Sequence, residues 1–229
     1  MKRPAILLLF VVSLLSCGCG QTRLDRQTRQ LLGELDGHVA AREVYVARKL
    51  DQMDALRKLA EATLDPQLRY ETEMNIASEY FSFQFDSTQH YLKHCQELAM
   101  WPLRDRERFV LASIRLGHLY AKAGSHMEAY RLLYDQIDTT GLPETLKTEY
   151  LLALYDFSVD LAGNSGLVDQ LNIADADSFR PALYERIPRD SESWRCILRD
   201  DLSEHGRYAE ADSVARLLLS GTNPSQISS

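Results

Sequence analysis

The sequence predicts an all-α chain built as a solenoid of antiparallel helix pairs. Three observations carry that prediction. Strand signals are nearly absent, with no sustained alternation and few β-branched clusters. Apolar residues recur instead at spacings of three and four, the period of an amphipathic helix. Turn signals such as Trp101-Pro102, Ala123-Gly124 and Thr140-Gly141-Leu142-Pro143 punctuate these runs at intervals of one helix.

The first element is a targeting stretch rather than part of the fold. Lys2 and Arg3 precede an almost wholly apolar run, Ala5 to Leu15, which is too short for the roughly 20 residues a membrane span needs. Leu14-Leu15-Ser16-Cys17 follows and resembles the bacterial lipobox. That resemblance implies cleavage after Ser16 and lipidation of Cys17, with residues 1–16 as signal peptide and 17–23 as tether. Cys19 is the poorer acceptor, because no Leu stands three residues upstream of it. The residues after Cys17 carry no acid, so the periplasmic face of the envelope is the expected location.

Residues 24–64 read as a helical cap. Leu24, Leu31, Leu35 and Val39 start one apolar series, and Gly33 and Gly37 predict a break near Gly37-His38. A long helix over 38–62 then carries the stripe Val46, Leu50, Met53, Leu56 and Leu59. That stripe must be covered, by the first repeat or by another copy of the chain. Asp65-Pro66 marks the next boundary, since Pro suits a first helical turn. Helices follow at 67–84, 87–99, 104–123, 126–137 and 144–161. Residues 163–190 are looser, beginning with the loop Gly163-Asn164-Ser165-Gly166. Two more helices run at 191–204 and 207–219, before a polar tail at 220–229.

Residues 116–133 hold Leu116-Gly117, Tyr120, Gly124, Ala129 and Leu133. The spacing matches the tetratricopeptide pattern L-G-x2-Y-x8-A-x3-F. Small side chains at Gly117 and Ala129 let two antiparallel helices approach, Tyr120 and Leu133 fill the space between them, and Gly124 allows the turn. Weaker matches at 80–99 and 198–219 put Thr88 and Ala211 at the small position. The three small positions are separated by 41 and 82 residues, so a degenerate middle repeat is expected with its second helix near residue 170. About four repeats then occupy 66–219.

The segments "ELDGHVAAREVYVARKLDQMDALR", "EYFSFQFDSTQHYLKHCQELA", "DTTGLPETLKTEY" and "GRYAEADSVARLLL" together resemble one family. It is the input half of the membrane-associated tetratricopeptide regulators of Bacteroides-type bacteria, and the resemblance covers residues 34–219. Full-length members follow the repeats with a transmembrane helix, a coiled coil and a DNA-binding output region. This chain stops at Ser229, so the resemblance implies a stand-alone binding lipoprotein or a truncated relative, with no transcriptional output of its own.

Charge limits the partners. The chain has formal net charge −7, and loss of Lys2 and Arg3 leaves 24 basic residues against 33 acidic. Such a balance offers no footprint for nucleic acid and no polybasic patch for anionic lipid. Cys95 and Cys196 read as small apolar helix residues, not a disulfide framework. No enzyme constellation stands out. His90 and His94 share a helix face beside Cys95, but the Glu and third ligand of a zinc site are missing. The "GNSG" loop has no readable His and Asp partners. Asp175, Asp177 and Asp190 lack calcium-loop spacing. No phosphate loop appears, and no cofactor or metal is implied.

Stacked repeats create an extended concave surface lined by the first helix of each pair. The face expected there is Met74, Ser78 and Phe81 in the first repeat, Leu111, Ile114, His118 and Lys122 in the second, and Asp200 and Glu204 in the last. Lys122 would put a positive charge at mid-groove and the two acids a negative end. Tyr80, Phe81, Phe83, Phe85 and Tyr91 are expected mainly as core of the first repeat. The partner is an unknown protein or peptide, held by a scaffold or by a sensor module acting on a separate membrane regulator.

Overall fold

A computed structural model describes residues 25–162, 166, 171 and 173–221. Cys17, the signal and tether segments, most of the Gly163–Gly166 loop, position 170 and the tail 222–229 lie outside the described residues. Ten α-helices and one π-helical turn make up the described chain, with no strand among them. None of these helices is long and apolar enough to cross a membrane. Two compact units meet inside the second helix, between Gln52 and Met53.

The first unit holds α1 (Arg26–Ala40) and the start of α2 (Arg42–Ala62). Asp25 caps α1 by accepting the Thr28 N–H at 2.7 Å. The break expected at Gly37-His38 falls instead at Ala41, whose N–H still donates to the Gly37 carbonyl at 3.1 Å. An exposed helical glycine costs only about 1 kcal/mol, too little to end a helix by itself.

The second unit begins where α2 brings Met53 and Ala60 against Ile76 and Tyr80. Val46, Leu50 and Leu59 of the predicted stripe remain about half exposed. Four helix pairs follow. The first is α3 (Pro66–Tyr80) with α4 (Phe85–Met100), and the second is α5 (Arg106–Lys122) with α6 (His126–Tyr130). The third is α7 (Glu144–Leu161) with α8 (Ala176–Arg186), and the last is α9 (Glu192–Glu204) with α10 (Tyr208–Gly221). α6 continues as the π-helical turn Arg131–Gln136, and there the Leu133 carbonyl accepts the Tyr150 hydroxyl at 2.6 Å. α3 is shorter than its predicted 67–84 span, because the chain turns at Phe81–Gln84.

Local chemistry sets the pair boundaries. Asp65, Asp105 and Ser191 cap α3, α5 and α9 through backbone N–H groups at 3.0, 3.0 and 3.2 Å. Gly124 and Gly206 end α5 and α9 with φ of 76° and 73°, a region glycine enters without steric cost. Each is followed by the paired bonds of a helix C-terminal motif: Gly124 N–H to Ala121 and Ser125 N–H to Tyr120, Gly206 N–H to Ser203 and Arg207 N–H to Leu202.

Between the pairs, the small positions do what their spacing requires. Thr88, Ala129 and Ala211 are all buried. A Cβ on Gly117 would stand 2.7 Å from Leu133 Cδ2, so α5 and the α6 extension touch with no room for a side chain. Tyr80 is wholly buried, Phe81, Phe85 and Tyr91 are half-buried against the first repeat, and Phe83 is exposed.

Candidate partner-binding groove

The first helices of successive pairs are tied side by side through polar contacts one repeat apart. Arg115 donates to Ser78 Oγ at 2.7 Å, 37 residues away. Lys122 Nζ meets Asp160 at 3.0 Å, 38 residues away. Tyr70 donates to the Arg108 carbonyl at 2.8 Å. The Phe81 and His118 rings lie 5.1 Å apart, and His118 Nε2 is 3.2 Å from an Asp156 carboxylate oxygen. These contacts join α3, α5 and α7 into one surface, and α9 meets it along the cavity it lines with α5 and α7.

Three cavities lie along it. One of about 610 Å³ sits between α3, α5 and α7, with Met74, Leu111 and Leu146 beside Arg108, Arg115 and Glu149. The next, about 410 Å³, lies between α5, α7 and α9 and shares Arg115 and Glu149 with the first. Ile114 and Ile197 form its floor, with His118, Asp156 and Asp200 around them. A third of about 510 Å³ lies by Phe81, Phe85, His118 and Lys122. Shared lining residues run the cavities together along the repeats, the extended surface that stacked repeats offer to a partner.

The residues expected in the groove divide into several groups. Met74, Leu111, Phe81, His118, Lys122 and Asp200 line the cavities, and exposed Ser78 anchors Arg115 at their edge. Ile114 is only 2% exposed and packs among Val110, Leu146, Ala153 and Phe157. It supports the floor and belongs to the core. Lys122 is not an unengaged positive centre, because Asp160 takes its charge. Asp200 accepts from Arg199 at 2.7 Å. Glu204 is bound by Arg180, a buried guanidinium that also holds Asp177 and stands 3.6 Å from Asp201. Glu204 thus ties α8 to α9.

Sequence reasoning missed Arg108, Arg115, Glu149 and Asp156. The signal for Asp156 was present: His118 and Lys122 recur one repeat later as Asp156 and Asp160. With Glu149, Asp156, Glu192 and Asp200 on its walls, the second cavity is acidic where a positive centre was expected. His90 and His94 do not converge on a shared ligand. His94 Nδ1 engages the buried carboxylate of Glu73, and exposed His90 packs its ring on Tyr91 at 5.2 Å. No metal-competent group of three His, Cys, Asp or Glu occurs among the described residues. Cys95 is fully buried, which pushes its thiol up to about 12, and Cys196 lines the second cavity.

A family model, the SusR N-terminal TPR domain, matches residues 39–228. The chain belongs to the SusR N-terminal TPR domain family. No curated protein and no solved structure gives a match. The matched span takes in all four helix pairs, so this TPR domain carries the repeat face and the three cavities whole. A TPR domain suggests a protein-interaction scaffold.

Titration within the TPR groove centres on His118 and Asp156. Burial pushes His118 down to about 4, with Lys122 acting in the same direction. Burial pushes Asp156 up to about 6, against the opposing pull of Lys122. A carboxyl whose folded pKa is raised is penalised while ionised. The penalty is full above about pH 6 and gone below the ordinary carboxylate value near 3.8. Asp156→Asn keeps the shape and removes the charge. With partial exposure discounting the effect, it is expected to stabilise the domain by about 1 kcal/mol at pH 7.5, or about 2–4 °C. The gain should fade as pH falls from about 6 towards 4. Paired thermal melts of the two proteins across that range check it.

Proposed function

We propose that this chain is a non-enzymatic, lipid-anchored scaffold of the cell envelope. It binds a protein or peptide along the concave face of α3, α5, α7 and α9. The observation that carries the reading is the continuity of that face: two cavities share Arg115 and Glu149, and the second and third share His118. An extended segment lying across the repeats would place apolar side chains on Met74, Leu111 and the Ile114 floor. Its polar groups would meet Arg115, Glu149 and Asp200. Exposed charge pairs contribute only about 0.2–1 kcal/mol each, so the apolar floor supplies most of the affinity and the rim sets direction.

Cys17 supports the anchor, through the Leu-Leu-Ser-Cys pattern that ends the apolar run. Acylation would hold the chain on a membrane, with the periplasmic face favoured. A second reading follows from family membership: the chain acts as a sensor input on a separate membrane regulator. Photo-crosslinking in cells from position 152, where Leu152 lines the second cavity, separates the two. A scaffold gives an envelope protein or peptide without output domains, whereas a sensor gives an integral membrane regulator. No adduct from this position would contradict both.

A further inference from the structure

We infer that α1 lies on the lipid surface of the membrane to which the chain is tethered, with Leu31, Leu32, Leu35 and Val39 entering the bilayer interface. All four are exposed, Leu31 by 57% and Val39 by 62%. At 100° per residue they fall in a single sector about 100° wide, and Arg26, Gln30 and Gly37 lie on the opposite side. A stripe of four aliphatic side chains on a 15-residue helix is a planar-binding pattern, too short to span.

Position along the chain chooses lipid over another occupant. Asp25 lies eight Cα-to-Cα steps after Cys17, a reach of at most roughly 26–29 Å. With Cys17 acylated, α1 begins within that reach of the acyl chains and cannot leave the vicinity of the headgroups. A weak apolar partition then becomes an intramolecular event at high effective concentration. Charge does not drive it, since Arg26 and Arg29 are offset on the same helix by Glu34 and Asp36. Neutral lipid should therefore suffice, and salt should not displace the helix. The consequence is a second attachment of the chain to the bilayer, beside the proposed lipid anchor.

The inference rests on the proposed anchor, so its test supplies a tether that does not need acylation. Residues 18–229 carrying an N-terminal hexahistidine tag are held on phosphatidylcholine vesicles doped with nickel-chelating lipid. Leu35→Trp and Gln30→Trp are compared with the unsubstituted chain, using brominated and ordinary phosphatidylcholine. The expected result is quenching by bromine of the tryptophan at 35 but not of that at 30, unchanged in high salt. Equal quenching at both positions, or none at either, overturns the inference. A blue shift at 35 without bromine quenching also overturns it, by showing a second protein chain on the stripe. Mass analysis of the Cys17 peptide from membranes tests the anchor separately.

Discussion

Gly117→Leu is expected to unfold the second repeat. A Cβ there would sit 2.7 and 2.8 Å from Leu133 Cδ2 and Cγ, and Leu133 is completely buried, so it has nowhere to retreat. Overpacking by a methylene or two typically costs about 1–3 kcal/mol. Leucine adds four carbons at the closest approach of α5 to the α6 extension. A better helix propensity returns only about 1 kcal/mol. A net loss beyond about 3 kcal/mol is expected, roughly 10 °C in the melting temperature. Leu133→Ala in the same chain should recover part of that loss although each change alone destabilises. Melts of the four proteins in a double-mutant cycle check the coupling. Simple additivity would mean the two residues do not limit helix approach.

Ile114→Asp is expected to unfold the chain nearly as severely. On sequence spacing, this substitution should abolish partner capture and leave the fold intact, because Leu111, Ile114, His118 and Lys122 read as one outward stripe. Ile114 is instead 2% exposed and belongs to the buried cluster that includes Val110, Leu146, Ala153 and Phe157. The new carboxylate would have no cation in that cluster, and an unpaired buried charge costs several kcal/mol. Lost apolar burial adds about 2 kcal/mol more. The deficit should shrink in acid, as the buried carboxyl takes up a proton. Ile114→Val, which keeps the apolar character, should cost only about 0.5–1.5 kcal/mol. Urea melts at two pH values measure both.

The contrast between these residues shows what could be read from sequence. Gly117, Ala129, Asp65-Pro66 and Gly124 act through short-range geometry: a missing Cβ, a cap, a left-handed turn. Such effects leave a local signature, and the helix pairs follow from them. Groove membership depends on the neighbouring helix. One residue of phase on α5 turns a side chain by 100°, enough to send Ile114 into the core and Arg115 into two cavities. The placement of α7 beside α5 turns the recurrence of His118 and Lys122 at Asp156 and Asp160 into contacts, and it adds Glu149 to the acidic middle of the groove. Glu204 was hidden in the same way, since its partner Arg180 arrives from α8.

Partner capture with matched charge reversals shows whether the concave face binds. Glu149→Lys changes a groove wall residue, and Lys93→Glu changes an exposed residue on α4, outside the three cavities. Both side chains are exposed, so both variants should melt close to the parent protein. Partner bound to each variant is then quantified after crosslinking from position 152. A several-fold loss is expected for Glu149→Lys and none for Lys93→Glu, if the partner lies on the concave face. Undiminished capture by Glu149→Lys would contradict it.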